Sequence, residues 1–362
     1  MLYLTSNKEI EPVYKNHILI EADKALDSKL VSITHNEWKQ KFNVSPNEYV
    51  SLSTYYWPDP NNPDGKYIKK SEINNDKYKY SDRKYVDIIL NKIQCLALAY
   101  KISNNQAYAD KGIKFIKCFF LNSKTHMIPR LSHSGIILKD QSKNSFTTHG
   151  CIVDTNSFYI LGDLVEIIFN NSKLDTDRSK NSMMLWFKNI SDWFLYSDYG
   201  IKAQARTNNW LTSYYVQVLS YLYASGQTEL CKKIFEDNFE RILITQIEYD
   251  GTQPYEQDRA NPIHYSNYNL HLLTRLGLIG KKYNIDMWSY KTSSGKGNLY
   301  AAMINTANII KKHNKTSEIN PGYSLTWSNI GYDIYKDSIL KDLSLMYESK
   351  LEYYLDQFLK DN

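Results

Sequence analysis

Hydrophobic positions recur at steps of three and four residues along most of the chain, which is the spacing of an α-helix with one buried face. In residues 84–101 the repeating positions are Tyr85, Ile88, Ile89, Ile93, Leu96 and Tyr100. Ser81-Asp82 just upstream is expected to cap this helix. Residues 107–121 repeat the pattern. Alternating strand patterns are rare, so the sequence predicts an all-α protein.

Further helices are predicted at about 155–170, 181–196, 210–225, 228–243, 264–283, 298–312 and 335–360. The turns between them are short and contain Asn, Gly or Asp, as in Ser103-Asn104-Asn105. Successive antiparallel helix pairs of this kind predict an (α/α) toroid or incomplete barrel. Because no shift in composition marks a boundary, we expect residues 1–362 to form a single domain.

Two long segments, 44–80 and 122–150, lack this periodicity. The first contains Tyr55-Tyr56-Trp57-Pro58, and the second contains the histidines His126, His133 and His149. Segments this long without regular structure are usually functional or disordered, and the aromatic content of the first argues against disorder. The spacing of the histidines matches no familiar metal-ligand pattern, so we expect no metal site.

Tyrosine is the unusual feature of the composition, with 31 residues. Its flat apolar face and its hydroxyl suit stacking on sugar rings. An AT-rich genome would also enrich Tyr, Asn, Lys and Ile, and both explanations are open. The net charge of +5 is mild and would help to steer a polyanion toward a cleft. No dense basic run with interleaved aromatics is present, so nucleic-acid binding is not supported.

The four cysteines form no CxxC pair and no zinc-like spacing, and they do not indicate a disulfide scaffold. No apolar run approaches the roughly 20 residues of a membrane span. The apolar start, Met1–Thr5, is too short for a signal peptide. We therefore expect either an intracellular protein or one whose export signal has been removed.

The segment Asp250–Ser266 concentrates candidate chemistry, because Arg259, His264 and Tyr265 fall within seven residues of one another. A glycine and two prolines in the same segment interrupt any continuous helix. The pattern predicts polar side chains presented from a loop that enters a helix. Arg, His and Tyr are the groups that can remove a weakly acidic proton from an anionic sugar and protonate the leaving oxygen.

From about residue 15 to about 310 the chain resembles the alginate lyase domain family, which includes polysaccharide lyase family 5. Six motifs in the family's order carry the resemblance: Tyr49–Pro60 with Pro63-Asp64-Gly65, Leu96–Tyr100, Thr125–Pro129, Asp154-Thr155, Asn208-Asn209-Trp210 and Asp250–Ser266. Each motif alone is weak, but six in order over most of the chain are strong. The resemblance implies an (α/α) toroid and β-elimination of a uronic-acid polysaccharide.

This elimination has three requirements: neutralising the uronate carboxylate, removing the C5 proton and protonating the departing O4. The resemblance assigns the first task to Asn209, and Arg259 can add a bidentate contact to the carboxylate. Tyr265 is the candidate acid, and it can also be the base if it ionises beside Arg259, whose charge would lower a tyrosine pKa. His264 is a catalytic helper or a structural residue. The chemistry requires no cofactor.

Trp210 departs from the family pattern, in which a histidine follows Asn-Asn and helps to neutralise the carboxylate or acts as the base. Indole has one N–H donor and no basic nitrogen. Three interpretations are open. Tyr265 performs both proton transfers in a syn elimination, another histidine such as His133 or His149 replaces the base, or the protein binds glycans without cleaving them.

The candidate substrate-binding residues are Trp210, Tyr56, Trp57, Asn208, Tyr214, His133 and Gln253. Two alternatives are structural: Asn209 as a helix N-cap, and Arg259 in a surface pair with Asp258 or Glu256. An alternative enzyme class is a glycoside hydrolase that uses Asp154 and Glu256 as paired carboxylates.

The partner we expect is an anionic polysaccharide or oligosaccharide, and we expect a monomer. The resemblance implies a periplasmic or secreted protein, since family members are usually exported; a native start at Met1 would instead indicate the cytoplasm.

Overall fold

The computed structural model describes residues 12–70, 74, 79–138, 152–171, 177–313 and 326–345. The chain divides into two compact units. The N-terminal unit comprises Lys15–Ala203 with Ala224–Gly226, and the C-terminal unit comprises Gln204–Tyr223 and Gln227–Asn362 with Met1–Tyr14. The expectation of a single domain stays a prediction.

Helices dominate the first part of the chain. They are α1 (Pro12–Asp27), α2 (Arg83–Ser103), α3 (Gln106–Ile116), α4 (Leu161–Asn171), α5 (Asp177–Tyr196) and α6 (Asp198–Gln204). Short 3-10 segments span Ile33–His35, Glu37–Phe42 and Ile152–Ile160, and a π-helical turn, Lys117–Leu121, continues α3. The predicted helices 84–101 and 181–196 are thereby confirmed, and 107–121 is helical with a π-helical last turn. The helix predicted at 155–170 is α-helical only from Leu161, and α1 and α6 were not predicted.

The turn between α2 and α3 forms as its sequence indicates. Asn104 adopts the left-handed conformation that ends α2, with a φ of 54°. The Asn105 side chain then accepts a hydrogen bond from the backbone N–H of Ala107 and caps α3. The buried face of α2 includes Val86, Ile89 and Ile93, whereas Ile88, which the periodicity placed on it, is 41% exposed.

Asp82 occupies the N-cap position of α2 but makes no capping hydrogen bond, so the prediction of its role was wrong. Its carboxylate instead forms a buried ion pair with Lys39, with an Nζ–Oδ2 distance of 2.9 Å. The same oxygen accepts a hydrogen bond from the backbone N–H of Val50. Burial raises the pKa of Asp82 to about 6, although Lys39 and two hydrogen bonds oppose the rise. A buried carboxylate is better stabilised by a cation than by helix N–H groups alone. This explains why Asp82 pairs with Lys39 and does not cap the helix.

Within the described residues of the two segments that lack helical periodicity, the chain forms four short strands. β1 (Val50–Leu52) pairs in parallel with β4 (His133–Ile136). β2 (Tyr56–Trp57) and β3 (Ile68–Lys69) form an antiparallel hairpin in which Tyr56 faces Lys69 and Trp57 faces Ile68. These pairings hold the segments within the N-terminal unit.

The described part of the second half of the chain is helical. Its helices are α7 (Asn209–Ala224), α8 (Thr228–Glu236), α9 (Phe239–Ile244), α10 (Pro254–Gln257), α11 (Pro262–Tyr283), α12 (Leu299–His313), α13 (Thr326–Tyr335) and α14 (Ser338–Leu345). The helices predicted at 210–225, 264–283 and 298–312 are confirmed. The one predicted at 228–243 is divided between α8 and α9. Of the helix predicted at 335–360, residues 346–360 lie outside the described residues. Where the structure is described, no helix is long and apolar enough to cross a membrane.

Candidate active site

The segment Asp250–Ser266 folds as two helix starts separated by a break. Gly251 has a φ of 82°, and a Cβ there would collide with the carbonyl of Ala301, so glycine is required. Pro254 begins the short helix α10, and Pro262 begins α11. The Asn261 side chain caps α11 by accepting a hydrogen bond from the backbone N–H of His264. His264 and Tyr265 therefore lie in the first turn of a helix, at the end of the loop that the sequence predicts.

Arg259 lies over the aromatic face of Tyr265. The guanidinium carbon is 4.0 Å from the ring centroid, which is within the range of a cation–π interaction. Neither Asp258 nor Glu256 forms an ion pair with Arg259 in the described structure. The guanidinium therefore keeps its N–H fork available beside the ring of Tyr265.

His264 contacts the edge of the same tyrosine. The two ring centroids are 5.0 Å apart, and the ring planes meet at 76°. Burial lowers the pKa of His264, and the nearby charge of Arg259 lowers it further. The imidazole is consequently neutral at neutral pH, which is the form that can accept a proton. Arg259, His264 and Tyr265 thus form one cluster, as their sequence proximity indicates.

Asn209 is the first residue of α7, and it is held by a carboxylate from α10. Glu256 accepts hydrogen bonds from the Asn209 backbone N–H and from its Nδ2, both at 2.6 Å. Asn208, rather than Asn209, caps α7, because its Oδ1 accepts from the backbone N–H of Trp210 at 3.3 Å. The interpretation of Asn209 as the helix cap was therefore wrong. Sequence reasoning also missed the link between Glu256 and Asn209, since a contact over 47 residues leaves no local pattern.

Trp210 and Tyr214 follow Asn209 on α7. Trp210 is partly exposed, whereas Tyr214 is 1% exposed and packs edge-on against the ring of Tyr215, with centroids 5.1 Å apart. The structure therefore leaves Trp210 accessible to a ligand and places Tyr214 in the core of the C-terminal unit. Any effect of Tyr214 on a substrate would act through packing.

Gln253 is fully buried in a polar network rather than presented at the surface. Its carbonyl accepts a hydrogen bond from Asn269 Nδ2 at 2.9 Å, and its Nε2 donates to Thr306 at 3.3 Å. Asn269 Oδ1 in turn lies 2.8 Å from the Thr212 hydroxyl on α7. This network joins α7, α11 and α12, and it was not foreseen. Its signal was the run of polar residues on the buried face of a long helix, α11.

The other predicted substrate contacts lie in the N-terminal unit. Tyr56 and Trp57 are partly exposed on β2, and Lys70 Nζ lies 5.6 Å from the Trp57 ring centroid. His133 begins β4, and burial lowers its pKa. Arg130 lowers that pKa further, while Glu48 raises it. His149, the other candidate for a replacement base, lies outside the described residues.

The two carboxylates of the hydrolase alternative are both engaged. Both oxygens of Glu256 accept hydrogen bonds from Asn209, and the residue is 1% exposed. Asp154 accepts a hydrogen bond from the Tyr49 hydroxyl at 3.1 Å and lies 3.6 Å from Arg83 Nη1. Neither arrangement presents an accessible acid–base pair, and nothing in the geometry supports hydrolysis. Within the described residues, no group of three or more potential metal ligands is present.

Comparisons with known proteins show which family the chain belongs to. The family model for alginate lyase matches residues 32–316. No curated protein sequence matches the chain. An alginate lyase from Bacteroides ovatus shares 25% identity over 94% of this chain and 92% of its own, with a TM-score of 0.84.

Alginate lyase A1-III from Sphingomonas species A1 shares 12% identity over 94% of this chain and 95% of its own, with a TM-score of 0.57. A histidine-to-alanine variant of alginate lyase A1-III, complexed with a tetrasaccharide, gives a TM-score of 0.59 at 12% identity, over 92% of this chain and 89% of its own. These likenesses confirm the all-α class and the (α/α) toroid fold. Since the family model covers most of the sequence, the chain belongs to the alginate lyase family of polysaccharide lyases.

Proposed function

We propose that the chain cleaves a uronic-acid-containing, alginate-like polysaccharide by β-elimination, with Tyr265 as acid and base. The observation that carries the proposal is the Arg259 guanidinium 4.0 Å above the Tyr265 ring. The contact places a cation against the phenol ring, and the phenolate form of a tyrosine is the form that can remove a C5 proton. The match to the alginate lyase family supplies the substrate class.

In this proposal a single side chain, Tyr265, both removes and returns the proton of the elimination. The Tyr265 phenolate takes the C5 proton, the C5–H electron pair forms the C4–C5 double bond, and the C4–O4 bond breaks. The phenol then returns the proton to O4. Tyr265 ends in its starting state, so a syn elimination needs no second titrating group. This sequence of steps would allow a chain with Trp210 in the family's histidine position to be active.

The carboxylate of the substrate also has to be neutralised while charge builds at C5. Arg259 provides a planar fork that suits a carboxylate, and Asn209 provides an amide donor that Glu256 orients. His264, neutral because of burial and of Arg259, is a helper that can receive a proton from the site. Trp210 shapes the subsite beside Asn209.

The hairpin of β2 and β3 suits a sugar chain that carries negative charge. Tyr56 and Trp57 offer partly exposed aromatic faces, while Lys69 and Lys70 are exposed. Sugar rings stack on aromatic faces, and carboxylates attract ammonium groups. We therefore assign Tyr56, Trp57 and Lys70 to substrate binding. We assign none of them a role in the proton transfer.

The proposal is tested by incubating the purified chain with mannuronan, guluronan and glucuronan and following the ultraviolet absorbance of the unsaturated product. We expect turnover on at least one polymer, and Tyr265→Phe should abolish it. Tyr249→Phe is the matched control, because Tyr249 is 70% exposed and lies outside the Arg259 cluster. Turnover in Tyr265→Phe would reject the assignment of Tyr265.

A glycan-binding protein without activity is the second candidate, and Trp210 is the observation that favours it. Absence of product on all three polymers, together with retained binding of the same polymers, would establish it. We further propose that the protein acts as a monomer in the periplasm or outside the cell, where polymeric substrate is encountered. Light scattering and cell fractionation test these two statements.

A further inference from the structure

We infer that Glu256 is a positioning residue that fixes the side-chain amide of Asn209 in its productive orientation. Its carboxylate binds Asn209 at both ends of that residue, at the backbone N–H and at Nδ2. Glu256 is 1% exposed and Asn209 is 3% exposed, so water does not compete for these hydrogen bonds. The inference rests on the proposed function, since it concerns how Asn209 meets the substrate.

The carboxylate determines which way the amide faces. With Nδ2 toward Glu256, one amide proton is donated to Oε2 at 2.6 Å. A flipped amide would place Oδ1 against a carboxylate oxygen, and two acceptors in contact repel each other. Among the described residues, only Glu256 hydrogen bonds to this side chain. The second Nδ2 proton has no hydrogen-bond partner among the described residues, and we assign it to the carboxylate of a substrate that packs against this buried amide.

Glu256 is not explained as the cap of α7. Asn208 already caps the helix, since it accepts from the backbone N–H of Trp210. The Asn209 backbone N–H that Glu256 binds belongs to the first helical turn, where a negative charge is favourable. Burial raises the pKa of Glu256, while the two Asn209 donors and the charge of Arg259 lower it. The two donors show that the carboxylate acts as an acceptor at both oxygens.

A buried negative charge beside the subsite of an anionic sugar is unfavourable on its own. Its presence here is consistent with a role that a neutral residue cannot fulfil. Glutamine at this position would present one acceptor and one donor, so its Nε2 would oppose one of the Asn209 donors. The contact is relieved when the Asn209 amide flips, and this removes the donor that faces the substrate.

The test is a double-mutant cycle between Glu256→Gln and Asn209→Ala, read as kcat and KM on the polymer that the wild type cleaves best. We expect Glu256→Gln to lower kcat by about 10- to 100-fold, less than the roughly 100- to 1,000-fold that removal of a well-placed donor produces, because the amide is misoriented and not removed. In the Asn209→Ala background, the same change should cost less than about twofold, because residues that act as a unit are not additive. Equal losses in both backgrounds, or an unchanged kcat in Glu256→Gln, would overturn the inference.

Glu248→Gln is the matched control, since Glu248 lies in the same unit and pairs with Lys296 at its surface. Thermal unfolding shows whether each variant folds. If Glu256→Gln does not fold, Glu256→Asp replaces it, because the shorter carboxylate keeps the charge and loses one of the two hydrogen bonds. The expected loss and the expected non-additivity are the same.

Failure of the inference is distinguishable from failure of the proposed function. A wild type without turnover on any polymer defeats the proposed function alone, and the cycle is then read as the affinity for a saturated oligouronate, measured by calorimetry. We expect Glu256→Gln to weaken that affinity only when Asn209 is present. Additive losses of affinity, or the absence of both turnover and binding, would overturn the inference as well.

Discussion

Replacing Arg259 with methionine tests the central contact of the proposed site, because methionine keeps much of the side-chain length and removes the charge. At the 4.0 Å separation of guanidinium carbon and ring centroid, opposite unit charges interact by about 4 kcal/mol at an effective dielectric constant of roughly 20. The phenolate oxygen lies beyond the centroid, and both side chains are partly exposed, so about 2 kcal/mol is the appropriate figure. Because about 1.4 kcal/mol corresponds to a factor of ten, we expect Arg259→Met to lower kcat roughly 30-fold.

The assay is the initial rate of double-bond formation on the best polymer, with thermal unfolding as a check of the fold. Arg259→Lys should lose less than Arg259→Met, since it keeps the charge but not the planar fork over the ring. Arg178→Met on α5 is the control for a general change in net charge, and it should leave both constants unchanged. A kcat in Arg259→Met within twofold of the wild type, or a change in KM alone, would refute the role of Arg259 in the proton transfer.

Three further outcomes follow from the structure. Trp210→His should change kcat by less than about threefold, because in the proposed mechanism Tyr265 performs both transfers; a larger gain in the same product assay would show that a separate base is missing. Burial, followed by the charge of Arg275, holds the pKa of His271 well below its usual value, so the folded state resists a proton that the unfolded state accepts. The free energy of unfolding should therefore fall as the pH decreases below about 6.5, and urea titrations should show a smaller fall in His271→Asn. Lys39→Met should destabilise the N-terminal unit by about 3–5 kcal/mol, because it leaves the Asp82 carboxylate buried and unpaired, and adding Asp82→Asn should recover part of that loss in the same titrations.

Local sequence patterns predicted the helices and turns that interactions between neighbouring residues determine. The three- and four-residue spacing located most of the described helices, and the Asn104-Asn105 turn formed as expected. The glycine and prolines of Asp250–Ser266 correctly indicated a broken helix that presents Arg259 and Tyr265. These features depend on residues within about one helical turn of each other, so they can be predicted from the local sequence.

The misplaced residues are those whose partners are distant in sequence. Asp82 has the residue type and position of a helix cap, but a buried lysine on another segment takes its carboxylate. Asn209 resembled a cap for the same reason, and Glu256 resembled a free catalytic carboxylate, until the fold joined the two. Residue type predicts the bonds that a side chain can make, and only the tertiary structure selects among them.

The tryptophan at position 210 changes which residues can neutralise the substrate carboxylate and which can transfer the proton. In the family pattern a histidine beside Asn209 would help to neutralise the carboxylate or act as the base. Indole has no basic nitrogen, so Trp210 can neither carry a positive charge beside the carboxylate nor accept the proton. In the proposed mechanism, neutralisation then falls to the Asn209 amide and to Arg259, while proton transfer falls to Tyr265, whose edge His264 contacts. An amide is a weaker partner for a carboxylate than a cation is, so its orientation matters more. The two short hydrogen bonds from Asn209 to Glu256 are the contacts that we infer to supply that orientation.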